Sequence, residues 1–97
     1  MIRLLFVDGD ASYLAQLEQR LHPHHDEWDT HFANGAAAAL DQLASTTFDV
    51  IVADAVDAET LTDGTALLAH VATVQPATVR IVMSRDGLAP TDRKSVV

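Results

Sequence analysis

Three apolar runs in this chain end in side chains able to handle a phosphoryl group. LLFVDGD (4–10) ends in Asp8, Gly9 and Asp10; FDVIVAD (48–54) ends in Asp54; TVRIVMS (78–84) ends in Ser84. A carboxylate that directly ends a buried apolar strand is costly without partners, so Asp8 and Asp54 ask for an explanation. Carboxylates brought together resist joint ionisation unless a cation offsets them. Magnesium is such a cation, since it takes oxygen ligands, often one or two carboxylates completed by water and phosphate oxygens. Asp10 has two readings, a further oxygen ligand or the cap of a following helix, and Ser12 is an equally good cap. Ser84 gains weight only from its place at a strand end.

The elements that must position these groups are legible in the hydrophobic pattern. Residues 2–7 form a short apolar run bounded by turn residues, the pattern of a buried strand. From Ala11 to Leu21 the spacing of Leu14, Leu17 and Leu21 predicts a helix, which Pro23 closes. EWDTHFA (27–33) alternates, with Trp28, Thr30 and Phe32 on one side and Asp29 and His31 on the other; this predicts a half-covered strand near a sheet edge. Asn34 is placed to cap an alanine-rich helix behind it. FDVIVAD is a third strand, Leu67, Leu68, Val71 and Val74 mark a third helix stopped before Pro76, and TVRIVMS is a fourth strand. The order βαβαβαβ predicts a mostly parallel sheet with helices on both faces. In such sheets ligands bind outside the carboxyl ends of the strands, where Asp8, Asp54 and Ser84 all fall.

The bulk numbers exclude several classes. Ninety-seven residues, 48% of them apolar, make one small globular domain. Six basic residues against fourteen acidic ones give a net charge of −8, which argues against nucleic-acid binding. There is no cysteine, so disulfides and thiolate metal sites are excluded. No run is long enough for a membrane span, and a cytoplasmic location is the default expectation. The histidines of HPHHDE (22–27) match no common zinc spacing and sit at the opposite end of the sheet from Asp54, so a solvated turn is expected there. The alanines at 36–39 suit close helix–sheet packing, Trp28 suits a partly buried anchor, and Asp63-Gly64 reads as the start of the third helix.

Along residues 1–84 the sequence resembles a response-regulator receiver domain, the phosphoryl-accepting module of two-component signalling. LLFVDGD looks like the acidic strand, FDVIVAD like the strand bearing the phosphoacceptor, and RIVMS like the strand ending in the switch hydroxyl. DGTALLAHV resembles the Asp-Gly start of the third helix, and EWDTHFANGAAAALDQLASTTFDVIVAD looks closest to receivers attached to HD-type output domains. The resemblance implies a flavodoxin-like α/β fold with strand order 2-1-3-4, the fifth strand and helix being missing. Residues 85–97 are then an irregular tail. It also implies Asp54 as phosphoacceptor, Ser84 as switch hydroxyl, and a magnesium site built from Asp8, Asp10, Asp54 and the backbone carbonyl of Val56. The implied partner is a histidine kinase or phosphotransfer protein, and the chain would not itself be an enzyme.

The departures from that family are specific. The usual second acid after the first strand is Gly9, the Met-Pro stretch before Asp63-Gly64 is absent, and AVDAETLT lengthens the loop by two residues. The lysine and aromatic residue of the missing final unit are absent too, since Lys94 comes too early. These features point to a degenerate receiver, either phosphorylated weakly or binding a partner without phosphorylation. A different reading is a fragment of a magnesium-dependent haloacid-dehalogenase-type phosphatase, with Asp8 as nucleophile, Asp10 as general acid/base and Ser84 as second-motif hydroxyl. That reading leaves Asp54 without a role. Without a fifth strand, TVRIVMS becomes a sheet edge of β-prone residues with little charge, and a homodimer is expected.

Overall fold

Apolar alternation builds the first strand, β1 (Ile2–Asp8), whose Leu5 and Val7 are buried on one face. In a computed structural model, which describes residues 1–54, 61–62 and 65–83, β1 is followed by α1 (Ala11–Leu21), β2 (Trp28–Asn34), α2 (Ala36–Ser45) and β3 (Val50–Asp54). Two short strands, β4 (Leu61–Thr62) and β5 (Thr65–Ala66), precede α3 (Leu67–Val74) and β6 (Val79–Met83). The main sheet is parallel in the order β2-β1-β3-β6. This is the expected 2-1-3-4 arrangement, β6 being the fourth strand of the sheet. Among the described residues no helix is long and apolar enough to cross a membrane.

The two faces of the sheet are covered unequally. Leu5, Val7, Ile51 and Ala53 pack with Ala36, Ala39 and Leu43 of α2 and with Leu67 and Val71 of α3 in one buried cluster. Ala39 is wholly inaccessible, so the alanine run does give close helix–sheet contact. On the other face, α1 buries Leu14, while Val79 and Met83 of β6 remain 47% and 45% exposed.

Several sequence expectations need correction. Asn34 does not cap α2: it is the last residue of β2, paired with Asp8, and Gly35 occupies the cap. Gly35 has φ of +93°, a backbone conformation that costs an L residue energy, and its N–H donates to the Asp8 carbonyl at 3.2 Å. The third strand starts at Val50 and not at Phe48, because Asp49 turns its N–H toward Arg3 of β1 and its carbonyl toward Val79 of β6. The fourth spans Val79–Met83, so Thr78 precedes it and its hydroxyl instead donates to the Phe48 carbonyl at 2.6 Å. The antiparallel pair β4–β5 was not anticipated. It places the start of α3 at Leu67, with Ala66 in the cap position, so Asp63 does not open that helix. Residues Val56, Asp63, Gly64, Ser84 and the tail 85–97 lie outside the described residues.

β2 is an edge strand, but neither of its faces is bare. Phe6 and Phe32 stack with ring centroids 5.5 Å apart, and His31 meets Phe48 edge-on at 5.3 Å. The HPHH stretch continues from α1 as a single exposed turn over His22–His24, and Trp28 is half-buried beside the His24 ring. Arg3 Nε donates to Asp29 Oδ2 at 3.0 Å. His31 Nε2 lies 3.2 Å from Asp29 Oδ1. His31, followed by Arg3, holds the Asp29 carboxyl below its usual range. A lowered carboxylate pKa contributes stability that is present above the unfolded value and lost as pH falls through the folded one. Asp29→Asn should therefore flatten the acid limb of a stability–pH profile measured by urea melts. Because Asp29 is more than one-third exposed, the loss at neutral pH should stay within about 0.5 kcal/mol.

Candidate functional site

Asp8 and Asp54 meet because their strands are neighbours in register. Val7 of β1 pairs with Ala53 of β3, so the next residue on each strand is the acid, and the two carboxyl groups leave the carboxyl end of the sheet on the same face. Asp8 is only 5% exposed, whereas Asp54 is partly open to solvent. Asp54 is also in register with Met83 of β6. A cavity of about 30 Å³, large enough for one water, lies between them and is walled by Phe6, Tyr13, Leu17, Val52 and Met83.

The link from β1 to α1 is set by two carboxylates acting on the backbone. Asp8 Oδ1 accepts from the Asp10 N–H at 2.8 Å. Asp10 Oδ1 in turn accepts from the N–H groups of Ser12 and Tyr13, at 2.9 and 3.2 Å, and so caps α1. Of the two readings of Asp10, the structure shows the cap. Its capping contribution is on the order of 1 kcal/mol, and turning that oxygen toward a metal would forfeit it.

A hard divalent cation fits the donor chemistry of the Asp8–Asp54 pair, since adjacent carboxylates are offset by positive charge and supply oxygen. The site is sparse. Among the described residues no group of three or more His, Asp or Glu side chains comes together to hold a metal. Gly9 contributes no oxygen from its side chain, and Val56 and Ser84 lie outside the described residues. Tyr13 was not anticipated as part of the site; a tyrosine at an N-terminal helical position carries no sequence signal of its own.

Four parallel strands in this order, with helices on both faces and two acids at neighbouring strand ends, define a flavodoxin-like α/β domain of the CheY-like type. Its structural neighbours include response-regulator receiver domains. The chain is similar to the signal receiver domain of an HD domain-containing protein from Pseudomonas fluorescens Pf-5, at 28% identity and a TM-score of 0.71, over 97% of this chain and 71% of that one. It is likewise similar to the receiver domain of a Francisella response regulator, at 25% identity and 0.66, over 97% and 73%. A CheY-like receiver domain protein from Methanospirillum hungatei JF-1, at 24% identity and 0.70 over 97% and 70%, shares the fold. No protein-family model matches the sequence. No curated protein matches it either.

Proposed function

We propose that this chain is the receiver module of a two-component response regulator, with Asp54 accepting a phosphoryl group from a histidine kinase or phosphotransfer protein. The observation that carries the reading is the pairing of a buried Asp8 with a more open Asp54 at the carboxyl ends of adjacent parallel strands. A nucleophile has to be reachable, and Asp54 is the reachable member. The chain is a carrier of the signal and not an enzyme turning over a substrate. Its other partner is a second copy of itself.

Asp8 and Asp54, with the Val56 backbone carbonyl, would hold magnesium, which supplies charge neutralisation as the phosphoryl group arrives. The protein's own part is to keep Asp8 in place through the Asp10 N–H, to present Asp54 at the strand end, and to bring the Ser84 hydroxyl to the phosphoryl oxygens. Intact mass after incubation with acetyl phosphate and magnesium, with the modified residue mapped, tests this. A gain of one phosphoryl group on Asp54 supports phosphorylation. A folded chain that takes no label assigns it instead to phosphorylation-independent partner binding, the mode that Gly9 favours.

Gly9 also sets an expectation for the metal. With two carboxylates, magnesium affinity should be weak, and Gly9→Asp should tighten it about tenfold by returning a hard oxygen ligand. Calorimetric titration of both proteins measures this. Equal affinities would mean that another group already fills the position.

A further inference from the structure

Tyr13, in the first turn of α1, walls one side of the cavity beside Asp8 and Asp54. Its placement has a local cause. Asp8 Oδ1 accepts from the Asp10 N–H at 2.8 Å, and Asp10 Oδ1 accepts from the Tyr13 N–H at 3.2 Å. Two carboxylates thus fix the Tyr13 backbone to the end of β1. Side chains of a helix tilt toward its amino terminus, so a ring in the first turn of α1 leans toward the strand ends. Leu17, one turn later, lines the same cavity from the same face of the helix. Tyr13 is half-buried, as a wall residue should be.

We propose, on the basis of the receiver reading, that Tyr13 is a further residue of the phosphoacceptor site, its phenol O–H donating to the phosphoryl oxygens on Asp54. The chemistry of the cavity wall carries this role. Ionised Asp8 and Asp54 only accept hydrogen bonds, and a phosphoryl group adds three strong acceptor oxygens. Phe6, Leu17, Val52 and Met83 have no polar hydrogen to offer. Among the described residues that line the cavity, Tyr13 carries the one side-chain hydroxyl. A tyrosine combines an apolar ring suited to such a wall with a hydroxyl that seeks a polar partner. Being neutral, it meets the added negative charge without repelling a cation held by the acids. Donors set in place where charge develops stabilise the transfer itself as well as its product. With acetyl phosphate, a carboxylate oxygen of Asp54 bonds to phosphorus, the donor's P–O bond breaks, and acetate leaves with the electron pair. Tyr13 keeps its proton throughout.

Tyr13→Phe keeps the ring in the wall and removes only the donor. Its backbone N–H still reaches Asp10, so circular dichroism and urea melts should match the parent. With acetyl phosphate and magnesium, labelling of Asp54 should slow about tenfold, the scale of one hydrogen bond to a charged group. Beryllium trifluoride, a phosphoryl mimic, gives a readout without transfer. Its affinity in the presence of magnesium, followed by fluorine NMR, should fall by a similar factor, while magnesium affinity without the mimic should stay unchanged. A role confined to the wall would instead spare Tyr13→Phe and impair Tyr13→Leu. If the parent and Tyr13→Phe label Asp54 at equal rates and bind the mimic equally, Tyr13 is no donor and the receiver reading stands. If the folded parent neither labels nor binds the mimic, the phosphoacceptor reading falls and this role with it.

Discussion

Asp54→Asn should abolish acyl-phosphate formation, lowering labelling by acetyl phosphate at least ~100-fold, while Asp8→Asn should slow it only ~10- to 100-fold. The substitution at Asp54 is nearly isosteric but exchanges the attacking carboxylate oxygen for an amide, which is not a nucleophile under these conditions. Asp8 is placed differently. It is 5% exposed and its Oδ1 is held by the Asp10 N–H, so it is ill placed to attack a phosphoryl donor from solvent. Its removal weakens charge compensation at the site and loosens the β1–α1 link, but leaves Asp54 where it is. Phosphoryl label mapped to Asp8, with Asp54→Asn fully active, would reverse the assignment and favour a phosphatase-type nucleophile.

What was legible in the sequence follows from which interactions are local. The strands and helices are coded by apolar spacing, and the acids at strand ends 8 and 54 are coded by where those runs stop. The parallel order then follows from alternation of strand and helix together with the receiver resemblance. Boundaries set by non-local hydrogen bonds were not legible. Asn34 looks like a cap in sequence, yet the Gly35 N–H bonds to the Asp8 carbonyl and extends the pairing of β2 one residue further. Asp10 had two readings because one side chain can cap a helix or bind a metal, and only the position of the Ser12 and Tyr13 amides separates them. β4 and β5 are two residues each, too short to show a period. Gln75 was passed over altogether, since a polar residue before Pro76 reads as a solvated turn.

Gln75 is instead the clamp of the amino-terminal side of the sheet, and Gln75→Leu should destabilise the domain by about 2–4 kcal/mol. Its Oε1 accepts from the Phe48 N–H at 2.9 Å. Its Nε2 donates to the carbonyls of Leu43 and Thr46, at 3.1 and 2.7 Å. One side chain thereby ties the end of α2 to the entry of β3 and to the end of α3. The amide can sit only one way round, because the flipped group would set its oxygen against two carbonyls and its NH₂ against an N–H. Thr78 Oγ1 lies 3.2 Å from Oε1 and 2.6 Å from the Phe48 carbonyl; with one proton to give, it bonds Phe48. Leucine fills a similar volume but strands one N–H and two carbonyls, and the cost is their lost pairing more than any cavity. For a domain of this size the melting temperature should fall by about 10–20 °C. Gln75→Glu separates the two halves of the clamp. Its carboxylate still accepts from Phe48 but faces the Leu43 and Thr46 carbonyls with no proton, which raises its pKa in the folded state. The penalty is therefore full at neutral pH and eases as pH falls through that raised value, because protonation restores one donor. Urea melts of both variants at pH 7 and pH 5 measure it. A Gln75→Leu protein within about 0.5 kcal/mol of the parent would show that water takes over the three stranded groups.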